Sequence, residues 1–146
     1  MYLICKLRKK RKDANANVFM VTLAQFGNVP NNLISNANLT ISILNEIYAA
    51  FPAGYFRFTS GYRSADKNAA VNGVDNSFHL KALAGDFVPI NGSFPYADLE
   101  AIGQIVSKYG FEVIKHNVGS GLHYHIEPAP GWNGSNVQAA AANPNY

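Results

Sequence analysis

The chain has 146 residues, 48% of them hydrophobic and 14% charged, with a formal net charge of +3. That length supports one domain with a real core and leaves little room for a second, and the apolar share argues against disorder. No apolar run approaches the roughly 20 residues that span a bilayer, and one cysteine, Cys5, cannot form an internal disulfide, so a membrane-spanning helix and a disulfide-stapled scaffold are both excluded.

The charge is unevenly placed. Six of the 12 basic residues (Lys6, Arg8, Lys9, Lys10, Arg11 and Lys12) precede Asp13, and from there on six basic residues face nine acidic ones. The chain therefore reads as a basic arm, residues 1–17, on a mildly acidic domain, residues 18–130, with a polar tail, 131–146. No basic stripe continues beyond the arm, which argues against nucleic acid as a partner; residues 6–12 could touch an anionic polymer or membrane surface. The arm is not expected to be an export signal, because Asp-Ala-Asn-Ala-Asn follows the charges and the apolar piece 18–24 is short and broken by Thr22.

Residues 26–35 are rich in turn formers. Asn38 then reads as an N-cap, with Leu39, Ile43, Leu44, Ile47 and Tyr48 at helical spacing up to Phe51 and Pro52-Ala53-Gly54 as the stop. Residues 55–59 read as a strand, Ser64 as the cap of a short helix through Ala70, and residues 83–90 as a second strand. Ser93 and Pro95 open a helix whose apolar face carries Leu99, Ile102, Ile105, Val106 and Tyr109, closed by Gly110. Two strands, 111–115 and 122–127, follow around a polar loop. The expected fold is a small single α+β domain, a mostly antiparallel sheet with helices packed on one side.

Four histidines, His79, His116, His123 and His125, carry the chemical interest. His123 and His125 stand at i and i+2 on a strand, so both project from one face, which Glu127 shares. His79 leaves a loop seven residues before Asp86 on the second strand. A catalytic zinc needs about three protein N/O ligands and one open position. His79, Asp86 and one of His123 or His125 supply that set without any cysteine.

Taken in order, Ser60-Gly61-Tyr62-Arg63-Ser64, then Ser77-x-His79-x-x-x-x-Ala84-x-Asp86, then His123-x-His125 resemble the D-alanyl-D-alanine metallopeptidase family. The wider group takes in lysostaphin-type enzymes and the hedgehog signalling domain. Its pattern is S-G-Y-R-S, S-x-H-x-x-G-x-A-x-D and a late H-x-H or x-H-x-D, and the likeness spans about residues 21–129. The resemblance implies a hedgehog- and DD-peptidase-like fold, zinc as cofactor and His79, Asp86 and His125 as its ligands. It makes His123 an active-site residue outside the metal's own ligands and Arg63 the residue that binds a substrate carboxylate or polarises the peptide. Ser77 is placed to set the loop of His79 or to contact substrate.

Two positions depart from the pattern. Ala82 replaces the family glycine, and Leu122 stands three residues before His125, where several relatives carry a general-base carboxylate. His123, Glu127 and Glu112 remain as candidates for the base, with His123 first and Glu127 second. His116 matches no family ligand and reads as a structural or rim residue. The function expected from the resemblance is zinc-dependent hydrolysis of peptidoglycan stem peptides, as a D-Ala-D-Ala carboxypeptidase or endopeptidase. A phage lysis enzyme acting on the host wall fits one short domain best, with a bacterial periplasmic or extracellular enzyme as the other home. Loss of the carboxylate at Leu122 keeps open a non-catalytic, metal-containing binding module of the same fold.

Overall fold

A computed structural model describes residues 20–118 and 121–134. The basic arm 1–17 and the tail beyond 134 lie outside them. In chain order, a one-turn helix α1 (Leu23–Phe26) leads through a 3-10 turn (Asn31–Leu33) into the long helix α2 (Ile34–Ala49). Strand β1 (Phe56–Ser60), helix α3 (Ala65–Ala70), a second 3-10 turn (Phe78–Lys81), strand β2 (Gly85–Pro89), helix α4 (Tyr96–Ser107), and strands β3 (Phe111–Val118) and β4 (Gly121–Pro128) complete it.

The strands form one four-stranded sheet in the order β1-β2-β4-β3, and every neighbouring pair is antiparallel. This is the α+β layout expected from the sequence. Period-2 alternation sorts each strand into two faces. One face presents Phe56, Phe87, Tyr124 and Ile126, all buried, to the apolar stripes of α2 and α4. Ile43, Leu44 and Ile47 of α2 and Ile102 and Val106 of α4 are fully buried, and each such side chain stabilises the fold by about 1.5–3 kcal/mol. Phe56 and Phe87 meet edge-on with ring centroids 5.1 Å apart, a favoured aromatic geometry. Gly85 lets α2 approach the sheet, since a Cβ there would lie 3.0 Å from a methyl of Leu44.

Several element boundaries differ from the sequence expectation. Helix α2 begins four residues before Asn38, because the 3-10 turn after Pro30 feeds directly into it and no side-chain cap is used. Asn36 instead donates to the Lys81 carbonyl (3.1 Å), tying α2 to the loop before β2. Strands β3 and β4 run further into their hairpin than expected, because antiparallel pairing continues through Asn117–Leu122 to Val118–Gly121. The predicted caps that hold are Ser64, which accepts from the Lys67 amide (3.2 Å), and Gly110, which turns the chain at φ 73°.

Candidate metal centre

The polar residues of β2 and β4 gather on the sheet face opposite the helices. Asp86 and His125 are direct partners across β2 and β4, and His116 and His123 are direct partners across β3 and β4. Alternation then places Asp86, His116, His123, His125 and Glu127 on one surface. Asp86, His123 and His125 are all buried.

His79 reaches this surface from the 3-10 turn. Ser77 caps that turn by accepting from the His79 amide (3.2 Å), so its side chain sets the loop. The turn ends at Ala82, which is buried and left-handed at φ 58°, a conformation that favours glycine. The family glycine at this position is thus a backbone requirement, which this chain meets with alanine. The Ala82 carbonyl accepts from Thr40 of α2 (2.9 Å), which holds the turn against the helix.

The His79 ring is oriented by a residue to which the sequence reading assigned no role. Its Nδ1–H donates to the Gly61 carbonyl (2.6 Å), which directs Nε2 toward Asp86 Oδ2, 3.2 Å away. Gly61 packs so closely on Phe26 that a Cβ would lie 2.5 Å from its ring. The glycine in Ser60-Gly61-Tyr62-Arg63-Ser64 therefore serves close packing, and its carbonyl selects the histidine tautomer. Glycine inside a strand-to-turn motif is the signal that could have marked it.

Asp86 sits at the centre of the charge network. Its Oδ2 accepts from Arg63 Nη2 (3.2 Å) and its Oδ1 accepts from His125 Nδ1–H (2.7 Å). Burial alone would raise its pKa, but the bonds to His125 and His79 and their charges hold it well below the ordinary carboxylate range. On the far side of the His125 ring, Nε2–H donates to Glu127 Oε1 (2.7 Å). Burial would lower the pKa of His125, yet the two carboxylates outweigh it and the net shift is upward. Arg63 also donates through Nε to Ser60 (3.1 Å), and its backbone amide donates to the His79 carbonyl. Two of its five N–H donors are engaged in this way, and the others are available to a substrate carboxylate.

His123 Nδ1–H donates to the Gly121 carbonyl (2.8 Å), so its Nε2 faces the cluster, 3.8 Å from Asp86 Oδ1. His116, read from sequence as structural or rim, lies beside these groups. Its ring centroid is 4.6 Å from that of His123 and 5.1 Å from that of His125. Partial burial and then the neighbouring His125 and His123 push its pKa down. Leu122 is 42% exposed. Glu112 pairs in register with Glu127 near the end of the β3–β4 ladder.

Whether these residues fit a metal follows from their donor atoms. One atom each from His79, Asp86 and His125 lies within 4.8 Å of the others. A tetrahedral ion bound at about 2.0–2.1 Å needs donors about 3.3 Å apart, and the two Asp86 oxygens stand near that spacing from the imidazoles, Oδ2 3.2 Å from His79 Nε2 and Oδ1 2.7 Å from His125 Nδ1. The set is two imidazoles and one carboxylate, and each imidazole has its other nitrogen held by an acceptor, as metal-binding histidines require. The residues fit zinc. A protein-family model described as Peptidase M15 matches residues 9–126. The chain belongs to the peptidase M15 family. That is the metallopeptidase family its three motifs resemble, and M15 peptidases depend on zinc. No curated protein matches the chain in a sequence search.

Proposed function

We propose that this M15 peptidase hydrolyses the stem peptides of bacterial cell-wall peptidoglycan, as a D-Ala-D-Ala carboxypeptidase or endopeptidase, and serves a phage in lysis of its host. The observation that carries the reading is the convergence of His79 Nε2, Asp86 and His125 Nδ1 beside two further polar side chains, Arg63 and His123, suited to hold substrate and move protons. In this reading His79, Asp86 and His125 would hold the zinc ion. A bound zinc supplies Lewis acidity, making water a usable nucleophile near neutral pH and polarising the scissile carbonyl.

The remaining work falls to the chain itself. His123 is the general base: with Nδ1–H given to Gly121, Nε2 is free to take a proton and return it to the leaving amine. Glu127, the second candidate, directs its carboxylate to His125 Nε2, where it fixes the ring and leaves Nδ1 for the metal. Arg63 offers its unengaged N–H donors to a substrate carboxylate, as a free C-terminal D-residue presents. Ser77 supports His79 from the turn, and residues 6–12 bring the enzyme to the anionic wall or membrane.

Leu122 favours a second reading, a metal-containing binding module without hydrolysis, because it puts no carboxylate where several relatives place their base. The test is to incubate the zinc-loaded protein with peptidoglycan of several chemotypes, beside His125→Ala and a chelated control, and to assay new peptide termini. Metal-dependent termini absent from both controls support the peptidase. Stoichiometric zinc binding without product on any chemotype would establish the binding module instead.

A further inference from the structure

We infer that Asp86, His116 and His123 form a second divalent-cation site, and that an ion bound there inhibits the enzyme by occupying His123. The inference rests on the role given above to His123 and on the first ion being held by His79, Asp86 and His125.

Three observations converge on the site. One ligand atom each from Asp86, His116 and His123 lies within 4.8 Å of the others, a second group that shares only Asp86 with the first. His116 and His123 are direct cross-strand partners, so the β3–β4 pairing itself holds the two imidazoles side by side, 4.6 Å between centroids. Their nitrogens are also free in the right way. The Gly121 carbonyl takes Nδ1–H of His123 and leaves Nε2 toward Asp86, while His116 Nε2 is shut off from solvent without a hydrogen-bond partner. A buried nitrogen with no partner is costly, and coordination of a cation would satisfy it.

Two imidazoles and a carboxylate suit borderline dications such as zinc or nickel. Because both ions would share the Asp86 carboxylate and repel each other, the second binds more weakly than the first. Its ligand His123 then has no lone pair left to accept a proton. The enzyme would be active with one ion per chain and suppressed at higher zinc.

The experiment titrates the chelator-stripped full chain with zinc against a competing chromophoric chelator, and repeats it with cobalt(II) read by visible absorption. Wild type should take up one tight and one weaker equivalent, and the weaker phase should be lost in His116→Ala. His116→Gln serves as a second variant should alanine disturb the hairpin, with circular dichroism confirming the fold. Peptidoglycan hydrolysis by wild type should peak near one equivalent and fall with the second, whereas both His116 variants should keep the activity and lose the fall. A single equivalent in wild type, abolished by His79→Ala and untouched by His116→Ala, overturns the second site and leaves the peptidase reading standing. Two equivalents in the His116 variants, or a second equivalent without effect on hydrolysis, also overturns the inference. No zinc uptake at all removes both this site and the first.

Discussion

The two faces of strands β2 and β4 use the same backbone for opposite ends. Phe87, Tyr124 and Ile126 point into the helices and are fully buried among aromatic and aliphatic neighbours. Their immediate neighbours Asp86, His123 and His125 are buried almost as well, but among charges and hydrogen-bond donors. On the first face burial is itself the stabilising event. On the second it is a cost, offset only by pairing, and it leaves nitrogen and oxygen donors crowded where a cation can use them. A single step along the strand thus separates stability from chemistry, and substitutions on adjacent residues should show it.

The sharpest contrast is between Phe87 and Asp86. Phe87→Ala should cost about 3–5 kcal/mol of stability in urea denaturation. Asp86→Asn should keep a cooperative urea transition yet lose stoichiometric zinc binding in equilibrium dialysis; an Asn variant that binds zinc normally would break the comparison. On the same face, His123→Ala should lower kcat by about 10²- to 10⁴-fold with the first, tight equivalent of zinc retained, as loss of an acid–base group does. Glu127→Gln should act one step further out, weakening zinc affinity by about 10- to 100-fold through the His125 ring. An unaltered affinity together with a large loss of kcat would return Glu127 to the role of base.

A smaller effect is expected from pH in the chelator-treated protein. The pKa of Asp86 is held below its ordinary 3.8, so its contribution is present above that value and lost as pH falls through the lowered one. The pKa of His125 is raised above its ordinary 6.5, so its contribution is complete below 6.5 and lost as pH rises through the raised value. Stability of this pair should therefore be greatest between about pH 4 and 6.5 and decline on both sides. Asp86→Asn should flatten that profile in thermal melts. The smallest effect belongs to Ala82→Gly. Relief of the left-handed strain, about 1–2 kcal/mol, is opposed by loss of a buried methyl, about 0.8 kcal/mol, and by the entropy of glycine, about 0.5–1 kcal/mol. The net change in the urea midpoint should be close to zero, whereas Ala82→Val, which adds a branched side chain at φ 58° in a fully buried position, should destabilise clearly.

Much of this was legible in the residues. The α+β class followed from the apolar periodicities, and the two-faced β4 followed from His123-x-His125-x-Glu127 alone, since i and i+2 must share a face. The start of α2 was not legible, because the asparagines of 31–38 read as turn formers and as a cap, while packing of Leu39, Ile43 and Ile47 and the bond from Asn36 to Lys81 carry the helix through them. His116 reads from sequence as a structural or rim residue because no motif contains it; its place beside the site follows from register, which pairs it with His123 across a hairpin.

The sequence by itself determined the supply of donors, their order along the chain and the faces they occupy, because strand alternation and turn chemistry are local. Only the tertiary structure decided which atoms meet. A hydrogen bond or a metal–ligand bond acts over 2–3 Å, and that distance depends on strand register and on the packing of Gly61 against Phe26. The Gly61 carbonyl leaves His79 Nε2 to the site, Glu127 leaves His125 Nδ1, and Gly121 leaves His123 Nε2. These three acceptors come from a motif glycine, a strand end and a hairpin. Nothing in their spacing announces the choice of nitrogen they impose.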